Sequence, residues 1–402
     1  VAWALLIAVF VVAAAILPFA LLTPRQPRPP GDLTSIAGLE AYLGKLVAAE
    51  TPPALVVTVL RDGISTYSRA FGASDASGTD ANVGQVFHFW SVTKLFTATA
   101  VMQLAEDGKL ALDDPVAAYL PAFATTFAGK PAAITIRQLL DHTSGMKDLR
   151  PADLLGWIHH AGEPPVSETD IVATKMAAYR KLARPPGTAS SYSNAGYIVL
   201  GAIIEQVSGQ AYADVIRQRI LAPLRMGRAD FVYRDDMAPI AAAGSHPLFH
   251  FFTPLLLLIH HDWFSAWVTR TARMRMWLAP IHTDYSAPTG LIGTASDLAR
   301  FGQAFLAAGE IDGARILRRE SVRAMLEEGF GGNSGPDGDR MGLGWHSWDN
   351  APLPFLGHGG EGPGFGAQLA IFPRRKMVVV ILGNDTLIDR VGLTGLVAKV
   401  FQ

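Results

Sequence analysis

Ser91-Val92-Thr93-Lys94 places a hydroxyl and an amine three residues apart. On a helix, positions i and i+3 share a face, so both groups can enter one cleft. A serine hydroxyl becomes an effective nucleophile only when a neighbouring base takes its proton. A lysine can do that once desolvation lowers its own pKa, or it can tune another base. The start of a helix adds free N–H groups beside the serine, where an oxyanion would develop. Two further clusters carry compatible chemistry. Tyr192-Ser193-Asn194 follows Arg184-Pro185-Pro186-Gly187 and precedes a helical pattern from Gly196 to Ser208. A tyrosine in such a loop can serve as a base if cations depress its pKa from about 10. The asparagine amide offers both donor and acceptor to a substrate amide or ester. His358-Gly359-Gly360 lies in GHGGEGPGFG, where glycines let a strand backbone approach a bound carbonyl group. Singly, each cluster has a plain structural reading. A lone S-x-x-K arises by composition about once in a chain of this length.

The elements that must position these groups can be read from periodicity. Asp32 to Glu50 reads as a helix, with Leu33, Ile36, Leu39, Leu43 and Leu46 on one side. Ala54–Leu60 and Ser65–Phe71 read as a hairpin turned at Asp62-Gly63. Ser91 to Asp107 is a helical pattern stopped by Gly108. From Leu110 to about Ala243 the chain reads as mainly helical. Phe365–Phe372 and Met377–Leu382 form a second hairpin around the charged turn Pro373-Arg374-Arg375-Lys376, and Leu387–Phe401 closes the chain as a helix. Strands at both ends and helices between predict an α+β fold: an antiparallel β-sheet built from both ends of the chain, flanked by helices, with an inserted mainly helical subdomain.

Composition narrows the function. The 402 residues are 50% hydrophobic and only 17% charged, with a formal charge of −1 and no cysteine. That balance gives no basic field for nucleic acid. Without cysteine there are no disulfides, thiolate catalysis or cysteine-bound metal centres. The charged fraction is below the usual quarter. Part of the apolar excess is Val1–Leu22, which holds no charge and is long enough to span a bilayer. We read residues 1–22 as an uncleaved transmembrane anchor and 23–31 (TPRQPRPPG) as a proline-rich linker. Residues 32–402 then form the catalytic domain, placed on the extracytoplasmic side.

Together the three clusters resemble the serine β-lactamase and penicillin-binding-protein superfamily, in its class C-like branch. The resemblance extends to FWSVTKLFTATAVMQLAEDGKLALDDPVAAYLP (Phe89 to Pro121), LLDHTSGM (Leu139 to Met146), PPGTASSYSNAGYIVLGAIIEQVSGQAY (Pro185 to Tyr212) and Leu291–Leu298. It implies a β-lactamase/transpeptidase-like fold, Ser91 as the acyl-accepting nucleophile, Lys94 as its proton-managing partner and Tyr192 as general base. It also implies substrate binding by Asn194, His358, Gly359 and Gly360, and an oxyanion hole from the backbone N–H groups of Ser91 and Glu361. No cofactor or metal is implied. His142 reads as a structural corner, and the pairs His159-His160 and His260-His261 lack the spacing of a metal site.

The third cluster departs from the superfamily's usual Lys-Thr-Gly, since an imidazole replaces a permanent cation. That weakens recognition of a substrate carboxylate and argues against efficient β-lactam hydrolysis. A second apolar stretch lies in residues 244–288, where Leu248–Ile259 is followed by Trp263, Trp267 and Trp277 and by Arg270, Arg273 and Arg275. Those residue types suit an interfacial segment beside anionic lipid; the alternative is a hydrophobic lid or dimer contact packed on the protein itself. The expected protein is a membrane-anchored serine hydrolase acting on a small-molecule, peptide or lipid-like acyl substrate, a D-peptidase or esterase and a weak β-lactamase at most. The alternative is a catalytically weak penicillin-binding-like receptor or membrane structural protein.

Overall fold

Ser35 accepts the Gly38 amide and so starts α1 (Ile36–Ala48), which presents Leu39, Leu43 and Leu46 to one side. The computed structural model describes residues 21–31, 33–161, 166–250, 253, 266–329 and 338–402. After α1 come β1 (Ala54–Arg61) and β2 (Ile64–Gly72). Their turn at Asp62 and Gly63 has φ of 51° and 82°, which fits a tight hairpin. From the other end of the chain come β3 (Arg340–Met341), β4 (His346–Trp348), β5 (Phe355–Gly362), β6 (Phe365–Phe372) and β7 (Met377–Gly383). The sheet order is β3-β4-β5-β6-β7-β1-β2, so the two chain ends meet where β1 pairs antiparallel with β7. The expected α+β arrangement is present.

Period-two alternation divides the sheet's side chains between two cores. Leu55, Val57, Val59, Val379 and Ile381 face α1 and α5 (Arg390–Val400). Val56, Val378, Val380, Leu369 and Ile371 face the larger core, with α2 (Thr93–Glu106), α3 (Asn194–Ser208) and α4 (Ala295–Leu306). α2 and α3 lie against each other and carry the first two clusters at their N-terminal ends.

Three expectations change. The Leu110–Ala243 region holds only short helices around α3, such as Ile136–Leu140, Pro151–Gly156 and Glu168–Lys175. The first opens on a Thr135 capping box, the second on Pro151 and the third on a Ser167 cap, and His142, at φ 61°, lies just past the end of the first. Residues 23–31 do not form a free spacer. The Tyr42 hydroxyl donates to Pro27 O at 3.0 Å and Gln26 Nε2 to Leu387 O at 3.3 Å, which ties the segment to the domain.

The third change concerns residues 244–288. Ser245–Pro247, Arg275–Leu278 and Val268–Ala272 form a three-stranded sheet, and Trp277 is fully buried. Trp267 is buried and stacks on His160 at 4.0 Å. Arg275 is 1% exposed and bonds Asp385 at 2.7 Å. These three side chains cannot meet lipid headgroups; the protein's own core has already desolvated them. Arg270 and Arg273 are exposed. Trp263, most of Leu248–Ile259, His260-His261 and residues 1–20 of the expected anchor lie outside the described residues. Among the described residues, no helix is long and apolar enough to cross a membrane.

Candidate active site

Ser91 sits in a 3-10 turn, Trp90–Val92, that runs directly into α2. Trp90 has φ 47°, a left-handed backbone that costs a bulky residue about 1–3 kcal/mol. Its ring stacks on His88 at 4.2 Å, and its amide donates to His88 Nδ1 at 3.3 Å. The strain therefore sits at the residue before the hydroxyl and is held by two contacts. One helical turn on, Lys94 is wholly buried, and its Nζ bonds Ser91 Oγ at 3.0 Å. Asn194 Oδ1 at 2.7 Å and Pro288 O at 3.1 Å complete its partners.

Tyr192 enters from the loop that caps α3, where Ser193 accepts the Gly196 amide. Its hydroxyl donates to Ser91 Oγ at 2.7 Å, and Lys94 Nζ lies 4.8 Å from its ring centre. His142 stacks on the same ring at 4.7 Å, with its Nδ1 accepting the Ser193 amide at 3.1 Å. The corner expected at His142 is thus also the support of Tyr192.

Burial sets the electrostatics. Loss of water around Lys94 pushes its amine down to about 7, against a smaller opposing pull from Asp148. Burial likewise holds His142 and His358 well below the usual imidazole range, with His346 and Lys94 adding to it. Asp148 is pushed up by burial, and it accepts from Asn194 N at 2.7 Å, Asn194 Nδ2 at 3.2 Å and Leu149 N at 2.7 Å. That grip orients the Asn194 amide with its oxygen toward Lys94.

β5 supplies the opposite wall. An ideal Cβ on Gly360 would lie 2.0 Å from Phe89 O and 3.2 Å from Ser91 N, so only glycine lets this strand pass the nucleophile's amide. A Cβ on Gly359 would collide with Arg390 Nη1. His358 is buried in the same wall, and the Glu361 carboxylate bonds Arg390 Nη2 at 2.6 Å. All the expected site residues, Ser91, Lys94, Tyr192, Asn194, His358, Gly359, Gly360 and Glu361, therefore converge on one cleft. Asp148, Asp339, His346 and Arg390 join them without having been expected. Asp339 and His346 form a buried pair.

Ser91 stands between two cavities. One, of about 290 Å³, is lined by Tyr192, His346, His358 and Arg390, and the other, of about 300 Å³, by Leu154, Leu155, Ile158 and Tyr285. The arrangement can activate a hydroxyl, hold a carbonyl beside strand β5 and separate the two halves of a substrate. Elsewhere, Asp284 bonds His159 at 2.8 Å and Lys175 at 2.9 Å. Among the described residues, no cluster of three or more His, Asp or Glu could hold a metal ion.

The Beta-lactamase family model matches residues 39–399. Penicillin-binding protein 4 of Amycolatopsis lactamdurans is 29% identical over 77% of this chain and 74% of its own length. Protein flp of Staphylococcus aureus (strain MRSA252) is 29% identical over 48% of this chain and 37% of its own length, so the match spans well under half of that relative. In three dimensions, the D-amino acid amidase of Ochrobactrum anthropi SV3 superposes with a TM-score of 0.70 at 20% identity, covering 90% of this chain and 96% of that one.

Proposed function

Because this chain belongs to the Beta-lactamase family and is a serine hydrolase, we propose that it cleaves an ester or amide through an acyl-enzyme at Ser91. The observation that carries this is Ser91 Oγ lying 2.7 Å from the Tyr192 hydroxyl and 3.0 Å from Lys94 Nζ. A neutral Lys94 has two N–H groups, and Asn194 Oδ1 and Pro288 O accept both. Its lone pair is then left facing the serine hydroxyl. Ser91 Oγ forms a bond to the acyl carbon as its proton passes to the Lys94–Tyr192 pair. The backbone N–H groups of Ser91 and Glu361 receive the oxyanion. Collapse breaks the bond to the leaving group, which departs with a proton from the pair. Water then reverses these steps: it gives a proton to the pair, the acid leaves, and Ser91 recovers its hydrogen.

His358 stands neutral where a substrate carboxylate would want a cation, which supports an esterase or amidase reading over a penicillinase. Rapid turnover of penicillins would overturn that part. Mass spectrometry after exposure to a fluorophosphonate should show one adduct, at Ser91 and absent from Ser91→Ala. An unlabelled Ser91 would favour a binding protein. We also propose that Val1–Leu22 anchors the chain with the catalytic domain outside the cytoplasm, supported by its uncharged length. Deleting residues 1–22 should move the protein from the membrane to the aqueous fraction, and full solubility with the segment present would refute the anchor.

A further inference from the structure

We infer that the polar cavity beside Tyr192 takes a neutral, hydroxyl-bearing leaving group, so that the substrate is an apolar acyl ester of a small polyol. The inference rests on the acyl-enzyme reading above and adds the substrate class. It starts from His358, which is 2% exposed. Its Nδ1 lies 2.6 Å from Gly359 O. A carbonyl oxygen only accepts, so Nδ1 carries the proton and Nε2 keeps a lone pair. That Nε2 is buried and makes no hydrogen bond within the described residues. A buried acceptor with no partner is costly to the fold, and a donor on a ligand restores the missing bond. His358 is among the residues that line the polar cavity, which is therefore the side from which such a donor would come.

The neighbours disfavour a carboxylate. His346 lies against His358, ring centres 4.2 Å apart, and its Nδ1 is taken by Asp339. The guanidinium of Arg390, which a carboxylate would seek, already bonds the Glu361 carboxylate. A carboxylate here would meet a lone pair and two carboxylates, whereas a hydroxyl would find an acceptor.

The direction of the substrate follows from Tyr192. The group that returns a proton to the leaving group must face it, and Tyr192 lines the polar cavity and not the apolar one. The leaving group therefore occupies the polar side. The acyl chain turns toward Leu154, Leu155, Ile158 and Tyr285, in a volume of about 300 Å³. At ~30 Å³ per water-sized unit, that space holds about ten heavy atoms. In turnover the ester C–O bond breaks and the polyol leaves as the alcohol, with its proton supplied by the Lys94–Tyr192 pair.

The test measures binding apart from catalysis. Calorimetry on Ser91→Ala would compare three non-hydrolysable ethers: 1-O-butylglycerol, butyl propyl ether and butoxyacetate. Butylglycerol should bind at least about tenfold tighter than the propyl ether, the equivalent of 1.4 kcal/mol, and butoxyacetate no tighter than the propyl ether. Equal affinities, a preference for the carboxylate, or no binding of butylglycerol at millimolar concentration would overturn the inference. Adding His358→Phe to Ser91→Ala should abolish the glycerol preference; should that variant fail to fold, the three-ligand comparison still decides. A glycerol preference in a protein whose Ser91 never acylates would refute the hydrolase reading and leave this pocket assignment standing.

Discussion

Two cations are buried to the same depth in this molecule and treated in opposite ways. Arg275 is 1% exposed, and each of its nitrogens has an oxygen: Asp385 at 2.7 Å, Glu50 O at 2.7 Å and Ser245 Oγ at 3.0 Å. One of those partners is a carboxylate, so the charge is matched. Lys94 is equally buried, but its three hydrogen-bond partners are neutral oxygens, and Asp148 bonds Asn194 instead of the amine. An arginine cannot shed its proton in a protein, so it must be paired. A lysine can, and withholding a counter-ion is what brings its amine down to about 7. The first arrangement joins the 244–288 region to the end of the sheet. The second stores an unfavourable burial at the site where a base is wanted.

Exchanging each cation for methionine should have opposite consequences. Lys94→Met should lower kcat/KM by about 10³-fold, within the usual range for a lost acid–base group, while thermal melting shows a protein at least as stable as the parent. A large loss of stability would mean that Lys94 is structural after all. Arg275→Met should do the reverse. Removing one member of a buried pair costs about 3–5 kcal/mol, read from denaturant unfolding, with kcat of the folded protein almost unchanged. Adding Asp385→Leu should recover most of that loss, because no bare carboxylate then remains.

Protonation separates the two more gently. Activity that requires neutral Lys94 should fall about tenfold per pH unit below an apparent pKa near 7. The stability effect has a definite sign. The folded-state pKa lies below the unfolded value of about 10.4, so the unfolded chain binds the extra proton between them. The penalty is complete below about pH 7 and is relieved as pH rises toward 10.4. The stability gap between the parent and Lys94→Met should therefore narrow with rising pH. A gap that is flat from pH 7 to 10 would show that Lys94 keeps its proton.

Much of this was legible in the chain, because Ser91, Tyr192 and Asn194 sit at helix starts and β5 is marked by its glycines. A helix start is local: caps and apolar spacing reveal it within a few residues. What stayed hidden was set by distant contacts. Asp148 acts on Asn194 across 46 positions, and nothing near it in sequence marks the pairing. The tryptophans and arginines of residues 263–277 show the same difficulty. Aromatic rings beside cations suit a bilayer interface or a buried pair equally well, and only the arrival of Asp385 from the other end of the chain decides for Arg275.

Asp148 offers the smallest and most discriminating test. Its carboxylate accepts from Asn194 N, Asn194 Nδ2 and Leu149 N, three donors and no acceptor. Asp148→Asn would turn one oxygen into an NH2 group facing those donors, so the grip on Asn194 loosens and its amide can flip. A flipped amide would offer N–H groups to Lys94 in place of Oδ1, and the plateau rate should fall about tenfold, as for a lost hydrogen bond to a charged group. The pH profile should also move, and its direction separates this account from simple damage. The charge of Asp148 favours the protonated amine, so removing it makes Lys94 lose its proton more easily. The acid limb of kcat/KM should shift below that of the parent while the plateau drops. A lower plateau with an unmoved limb would mean that Asp148 only supports the loop, and an upward shift would reverse the sign of the coupling proposed for the pair.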